Sequence, residues 1–248
     1  MSKLKGKVAI VTGASKGIGA GIAKVFGAEG ASVVVNYASS REGADKVVAE
    51  IVNGGGKAVA VRADVTKAPD AQELVDAAIT HFGHLDVVVN NSGVYKWQPL
   101  EEVTESDFHW MFDINVLGTI LVTQAAIKHL GEGGRIINIG SGVSRTTYAN
   151  STVYTGTKAA VDALTGVWAR EFGPRKIRVN SINPGLVETE GTVSNGNIGS
   201  DFEKWLSTQA PLGRTGRVTD ISPVALFLAS DDSAWLTGEL LLATGGIR

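Results

Sequence analysis

The 248-residue chain contains no cysteine, only six prolines and only 6% aromatic residues. Without cysteine there are no disulfides, no thiolate metal sites and no cysteine nucleophile, which suits a reducing compartment. So little proline excludes a collagen-like or proline-rich low-complexity chain. A surplus charge of either sign is also missing: the formal net charge is −2. No global basic field would draw nucleic acid or an anionic membrane. Nor is there a long apolar run. The N-terminal stretch Val8 to Val11 stops at a glycine, far short of a signal core or a membrane span. A soluble, cytoplasmic protein is the expectation.

What is abundant is glycine, 31 of 248 residues, against a usual share of ~7%. Apolar residues make up 44% and charged residues 19%, a balance that buries a large core and excludes disorder. The glycines therefore belong in ordered turns and close-packed sites, where a positive φ or a missing Cβ is required.

Short β-branched runs alternate with longer helical patterns. Val8 to Val11, Ser32 to Asn36, Ala58 to Val61, Asp86 to Asn90, Arg135 to Gly140, Ile177 to Ile182 and Glu239 to Ala243 read as buried strands. Helical spacing covers about 17–29, 41–53, 67–82, 105–130, 153–172 and 220–229. That alternation predicts βαβ crossovers and a parallel sheet covered on both faces. With no repeat and no linker, one domain over 1–248 is expected. Glu188 to Ser200 is the least regular stretch and reads either as a surface excursion or as a binding loop. A substrate-binding loop is placed at about 187–210.

Ligands of open α/β sheets bind beyond the C-terminal strand ends, and those ends carry the informative residues. The first strand runs into Thr12-Gly13-Ala14-Ser15-Lys16-Gly17-Ile18-Gly19 at the start of a helix. Glycines there allow a tight turn and let a diphosphate reach the helix N-terminus, where free N–H groups favour an anion. No GK[ST] follows, so the loop is not that of a kinase or ATPase. The second strand ends in Asn36-Tyr37-Ala38-Ser39-Ser40-Arg41, without the carboxylate that would hold a ribose 2′-hydroxyl. Ser39, Ser40, Arg41 and Lys16 could instead receive a 2′-phosphate, a lean toward NADP(H) with NAD(H) as the alternative. Arg41 also reads as a solvated helix-start residue. Ser141 follows the fifth strand, and Tyr154 and Lys158 stand at i and i+4 on a helical stretch, sharing one face. An ammonium beside a phenol lowers the phenol's pKa toward neutrality and equips it for proton transfer. The four histidines, His81, His84, His109 and His129, have no carboxylates at ligand spacing, and no metal is expected.

Taken together, these residues resemble the short-chain dehydrogenase/reductase family along essentially the whole chain. The match consists of the Thr12-Gly13-x-x-x-Gly17-x-Gly19 loop, Asp64-Val65, Asn90-Asn91-Ser92-Gly93, Asn115, Ser141, Tyr154-x-x-x-Lys158 and Asn183-Pro184-Gly185. Ser92 departs from the family's usual alanine. The resemblance implies a Rossmann-type, doubly wound α/β sheet of seven parallel strands and hydride transfer between a nicotinamide and a carbonyl or alcohol. It implies that Tyr154 exchanges the proton, Ser141 orients the oxygen, Lys158 holds the ribose and lowers the pKa of Tyr154, and Asn115 anchors a water leading to Lys158. Asp64 and Val65 would flank adenine, Asn91 and Gly93 the adenosine and ribose, and Pro184, Gly185, Val187 and Thr189 the carboxamide. Family members are commonly tetramers, so a homotetramer is expected.

Candidate substrate-lining residues are Trp97, Val143, Tyr148, Leu186, Val193 and Trp205. They are largely apolar, with Arg145 the one cation nearby, and point to neutral hydrophobic or aromatic ketones and the matching alcohols. The chain is also similar to 3-oxoacyl-acyl-carrier-protein reductases and glucose dehydrogenases of that family. A dinucleotide-binding regulatory protein without turnover is the alternative of a different class.

Overall fold

The computed structural model describes residues 2–248. Nine strands form in chain order: β1 Val8–Val11, β2 Ser32–Tyr37, β3 Lys57–Arg62, β4 Leu85–Asn90, β5 Leu130–Ile139, β6 Arg178–Pro184, β7 Val187–Glu188, β8 Gly216–Arg217 and β9 Leu240–Ala243. Seven make one sheet in the order β3-β2-β1-β4-β5-β6-β9, with every pairing parallel. β7 and β8 form a separate two-residue ladder. The helices are α1 Gly17–Ala28, α2 Arg41–Asn53, α3 Ala68–Phe82, α4 Glu105–Phe112, α5 Gly118–Ala126, α6 Val143–Thr146, α7 Thr152–Phe172, α8 Glu190–Ser194, α9 Asp201–Gln209 and α10 Val218–Ala229.

Period-two alternation sends the central strands' side chains into two cores. Ala9 and Val11 of β1 join Ile22 and Phe26 of α1, Val47 of α2 and Leu228 of α10 on one face. Val8 and Ile10 join Leu74 of α3, Val122 of α5 and Phe172 of α7 on the other. Both faces of β1 are covered, which is why its four residues are all apolar and all buried. Strand order reverses between β1 and β4, and the two loops leaving their C-terminal ends diverge there to open a crevice.

Three expectations are revised. The stretch 105–130 is not one helix. A π turn at Asp113–Leu117 separates α4 from α5, and the chain is already β-strand at Leu130. Glu188 to Ser200 is partly ordered by β7 and α8, the latter capped by Thr189, whose side chain accepts from the backbone N–H of Thr192. α9 was not expected at all. Its start is marked by Ser200, whose hydroxyl accepts from the backbone N–H of Glu203, the S-x-x-E signal of a helix N-terminus.

Candidate active site

The crevice holds a cleft of about 540 Å³ lined by Gly13, Ser15, Lys16, Gly17 and Ile18 at one end and by Ser141, Tyr154 and Lys158 toward the other. Gly13 and Gly17 both adopt φ of 59°, a left-handed turn that side chains resist. A Cβ on Gly13 would lie 3.1 Å from the Ser92 Cα, and one on Gly19 would lie 2.4 Å from Asn91 Nδ2. The Thr12 hydroxyl accepts from the backbone N–H groups of Asn91 and Ser92 at 2.9 Å, so the glycine loop and the β4 loop are tied into one wall. Ser92 stands on that wall with its backbone N–H on the Thr12 hydroxyl.

The N-terminus of α1 is an anion site in this structure. The backbone N–H of Gly17 donates to Glu190 Oε2 at 2.9 Å, a carboxylate standing where the helix dipole and unpaired N–H groups favour negative charge. That stand-in and the shape of the glycine turn both fit a dinucleotide diphosphate.

Ser39, Ser40, Asp64, Val65, Asn91, Ser92, Gly93, Pro184, Gly185, Val187 and Thr189 line the cleft as the sequence leads one to expect. Four other expected cofactor residues do not line it. Asn36 is buried in the framework, with its Oδ1 accepting from the Gly13 N–H and its Nδ2 donating to the Ala63 carbonyl. The Tyr37 ring belongs to the apolar core. Gly19 sits against Asn91 and serves close packing. Arg41 is 79% exposed and pairs with Asp45 one turn along α2, as a solvated helix-start residue would.

At the other end, Ser141 and Tyr154 both line the cleft, and the Ser141 hydroxyl accepts from the backbone N–H of Val143 at 3.3 Å. Burial pushes the Tyr154 pKa above its usual 10, the Ser141 side chain works the other way, and the neighbouring Tyr95 phenol adds to the rise. Lys158 Nζ lies 5.9 Å from the Tyr154 ring centre and donates to the Ile139 carbonyl at 2.8 Å. Burial lowers its pKa from 10.5 to about 8, with Asp162 opposing that fall. The causes acting on Tyr154 in the free protein are burial, Ser141 and Tyr95, and the downward pull expected of Lys158 is not among them. Desolvation penalises the charged form of both groups, and it moves an acid up and a base down.

Asn115 lies in the π turn and is buried. Its Oδ1 accepts from the Val94 N–H at 2.8 Å, and its Nδ2 donates to the Val94 carbonyl and the Thr157 hydroxyl. The side chain thus ties the β4 loop to α7, while its backbone carbonyl accepts from the Thr119 hydroxyl at 2.8 Å.

The outer wall is aromatic. Trp97 packs 5.5 Å from Phe202 and 6.2 Å from Tyr148, and Trp205 stacks on Phe202 at 6.0 Å. Tyr95 tilts against Tyr154 at 5.8 Å and accepts at its hydroxyl from Asn195 Nδ2. Trp97, Val143, Tyr148 and Leu186 line the cleft; Val193 and Trp205 do not, and both are about half exposed. α9 presents Phe202 and Leu206 inward instead, one turn apart, with Trp205 buttressing from outside. Tyr95, Phe202 and Leu206 escaped the sequence reading because nothing in a lone aromatic or leucine marks it as pocket rather than core. Arg145 also lies outside, leaving Lys16 and Lys158 as the cations of the cleft.

Residues 13–248 match the family described as enoyl-(acyl carrier protein) reductase. The chain belongs to the short-chain dehydrogenase/reductase family. It is 59% identical over its full length, and the relative's, to an uncharacterized oxidoreductase of Methylorubrum extorquens. It is 44% identical to a hydroxynaphthalene reductase-like protein of Metarhizium majus, covering 98% of this chain and 95% of that one. A short-chain dehydrogenase from Burkholderia cenocepacia, solved in complex with NADP, superposes with a TM-score of 0.93 at 35% identity over 99% of both chains. This short-chain dehydrogenase/reductase is an oxidoreductase acting on carbonyl and alcohol groups, and its fold binds a nicotinamide dinucleotide.

Proposed function

We propose that the protein is an NADP(H)-dependent carbonyl reductase that acts on neutral, hydrophobic or aromatic ketones and on the matching secondary alcohols. The observation that carries this reading is the aromatic wall of Trp97, Tyr148 and Phe202 facing the Ser141–Tyr154 pair, in a cleft whose cations are Lys16 and Lys158. A ketone with fused aromatic rings gains offset or edge-to-face contacts there, and no guanidinium waits for a carboxylate. The name of the Metarhizium relative and the NADP bound to the Burkholderia structure point the same way.

When bound, the nicotinamide supplies or accepts the hydride. Tyr154 donates its proton to the carbonyl oxygen during reduction and removes it during oxidation, and the raised pKa keeps the phenol protonated and ready to donate. Ser141 donates a hydrogen bond to the same oxygen. Lys158 holds the ribose with its ammonium, and the Asn115 backbone carbonyl anchors a water that returns protons to Lys158. Lys16, Ser39 and Ser40, which all line the cleft, receive the 2′-phosphate. Asp64 and Val65 flank the adenine, Asn91 and Gly93 border the ribose, and Pro184, Gly185, Val187 and Thr189 border the carboxamide.

The whole chain acts as one domain, working in the cytoplasm as a homotetramer. No described helix is long and apolar enough to cross a membrane.

Turnover of a panel of fused-ring ketones, 3-oxoacyl thioesters and glucose, each with NADPH and with NADH, tests the reading. Aromatic ketones with NADPH are expected to lead. Preference for the thioesters or for glucose would sink the substrate class. Tyr154→Phe is expected to lose ~100-fold or more in turnover while still binding NADPH, and an unimpaired variant would refute the mechanism.

A further inference from the structure

Asp162 stands one turn beyond Lys158 and two beyond Tyr154 on α7, so the three share a helix face. Asp162, Ser144 and Asn183 all lie outside the cleft lining, yet they meet directly behind Ser141. Ser144 Oγ lies 2.7 Å from Asp162 Oδ2 and 2.9 Å from the Ser141 carbonyl. A hydroxyl has one proton, and the closer, charged acceptor takes it. Asn183 Nδ2 donates to Asp162 Oδ1 at 2.9 Å, and its second proton faces the Ser141 carbonyl and Ser144 Oγ, each at 3.3 Å. The orientation of that amide is set by Ser181, whose hydroxyl donates to Asn183 Oδ1 at 2.7 Å. One carboxylate therefore joins α7, which carries Tyr154 and Lys158, to the loop that carries Ser141 and to the Asn183-Pro184-Gly185 loop.

We infer that Asp162 is a positioning residue for the carbonyl reaction: through Ser144 and Asn183 it holds the Ser141 turn in register with α7, and its charge supports the ammonium of Lys158. The inference rests on the carbonyl-reductase reading above. Around Lys158, α7 contributes the titratable Tyr154 and Asp162, whereas β5 contributes the Ile139 carbonyl, the β4 loop Gly93 and the π turn Asn115, all neutral. Asp162 is thus the one negative charge opposing the desolvation of Lys158. Ser144 and Asn183, which face Asp162 itself, are neutral.

Asp162→Asn keeps the size of the side chain, removes the charge and turns one acceptor into a donor. In the purified free protein, the titration midpoint of the Lys158 side chain, read by NMR, is expected to fall below its wild-type value of about 8. Turnover of an aromatic ketone should drop ~10-fold or more as Ser141 loses its register. Ser144→Ala should lower turnover without moving the Lys158 midpoint, and Asp162→Glu should keep the midpoint near wild type. A folded Asp162→Asn protein with wild-type midpoint and turnover overturns the inference. If that variant does not fold, wild-type turnover in Ser144→Ala overturns the positioning role, and a midpoint displaced downward in Asp162→Glu overturns the role of the charge. A wild-type protein that reduces no ketone refutes the carbonyl-reductase reading instead, while the NMR midpoint still decides whether Asp162 supports Lys158.

Discussion

Lys158 is a residue whose usefulness opposes its stability. Buried, with a pKa near 8 against 10.5 in the open chain, it binds its proton less tightly when folded. Between those two values the unfolded chain holds more protons, so stability attributable to this group rises with pH across that window and is lowest below about pH 8. Lys158→Met removes the burden but leaves the Ile139 carbonyl without its donor, a loss of ~1 kcal/mol. The variant is expected to gain on the order of 1–2 kcal/mol at pH 7 and to lose turnover. In thermal melts from pH 7 to 10, its advantage over wild type should shrink as pH rises. An advantage that grows with pH would show that Lys158 is not strained by burial. The pair Tyr154 and Lys158 was legible in the sequence because helical spacing alone puts i and i+4 on one face. The direction of the Tyr154 shift was not, since desolvation depends on what surrounds the phenol: the Ser141 loop, Tyr95 and the cleft wall come from three separate parts of the chain.

At the scale of elements, the strand ends were readable and α9 was not. β1 through β6 and β9 announced themselves as short apolar runs; the central strands are covered on both faces, whereas the edge strands β3 and β9 are only partly buried. α9 is short and mostly polar, with Phe202, Trp205 and Leu206 as its apolar stripe, so it read as loop, and the Ser200-x-x-Glu203 cap was the local mark of its start. That cap is what holds Phe202 and Leu206 against the cleft. Ser200→Ala is expected to cost ~1 kcal/mol of local helix stability and to raise KM for fused-ring ketones several-fold while sparing small aliphatic ketones. Equal effects on both would mean that α9 does not grip the ring system. The long helix foreseen over 105–130 failed for a related reason: apolar periodicity continues through a π turn, and nothing local distinguishes the extra residue that aims Asn115 at the Val94 backbone.

For the molecule as a whole, the apolar surface left open predicts assembly. Phe108 and Trp110 on α4 are each 44% exposed, and Trp235 is 98% exposed. Large exposed aromatics grouped on helices and near a sheet edge mark interfaces. Sedimentation of the purified chain is expected to give a tetramer, with Trp110→Glu and Trp235→Glu each yielding smaller species. A monomeric wild type would refute the proposed assembly.

Composition, periodicity and the residues at strand ends determined the parallel α/β architecture and the glycine loop and put Tyr154 and Lys158 on one helix face, because backbone hydrogen bonding and side-chain period act locally and repeat. Only the tertiary structure decided that Arg41 turns to solvent and Asn36 to the framework, that Glu190 sits on the α1 N-terminus, that α9 supplies the pocket wall and that Asp162 stands behind Ser141. Each of those depends on contacts between segments far apart in the chain, where geometry and desolvation, not pattern, choose the partner.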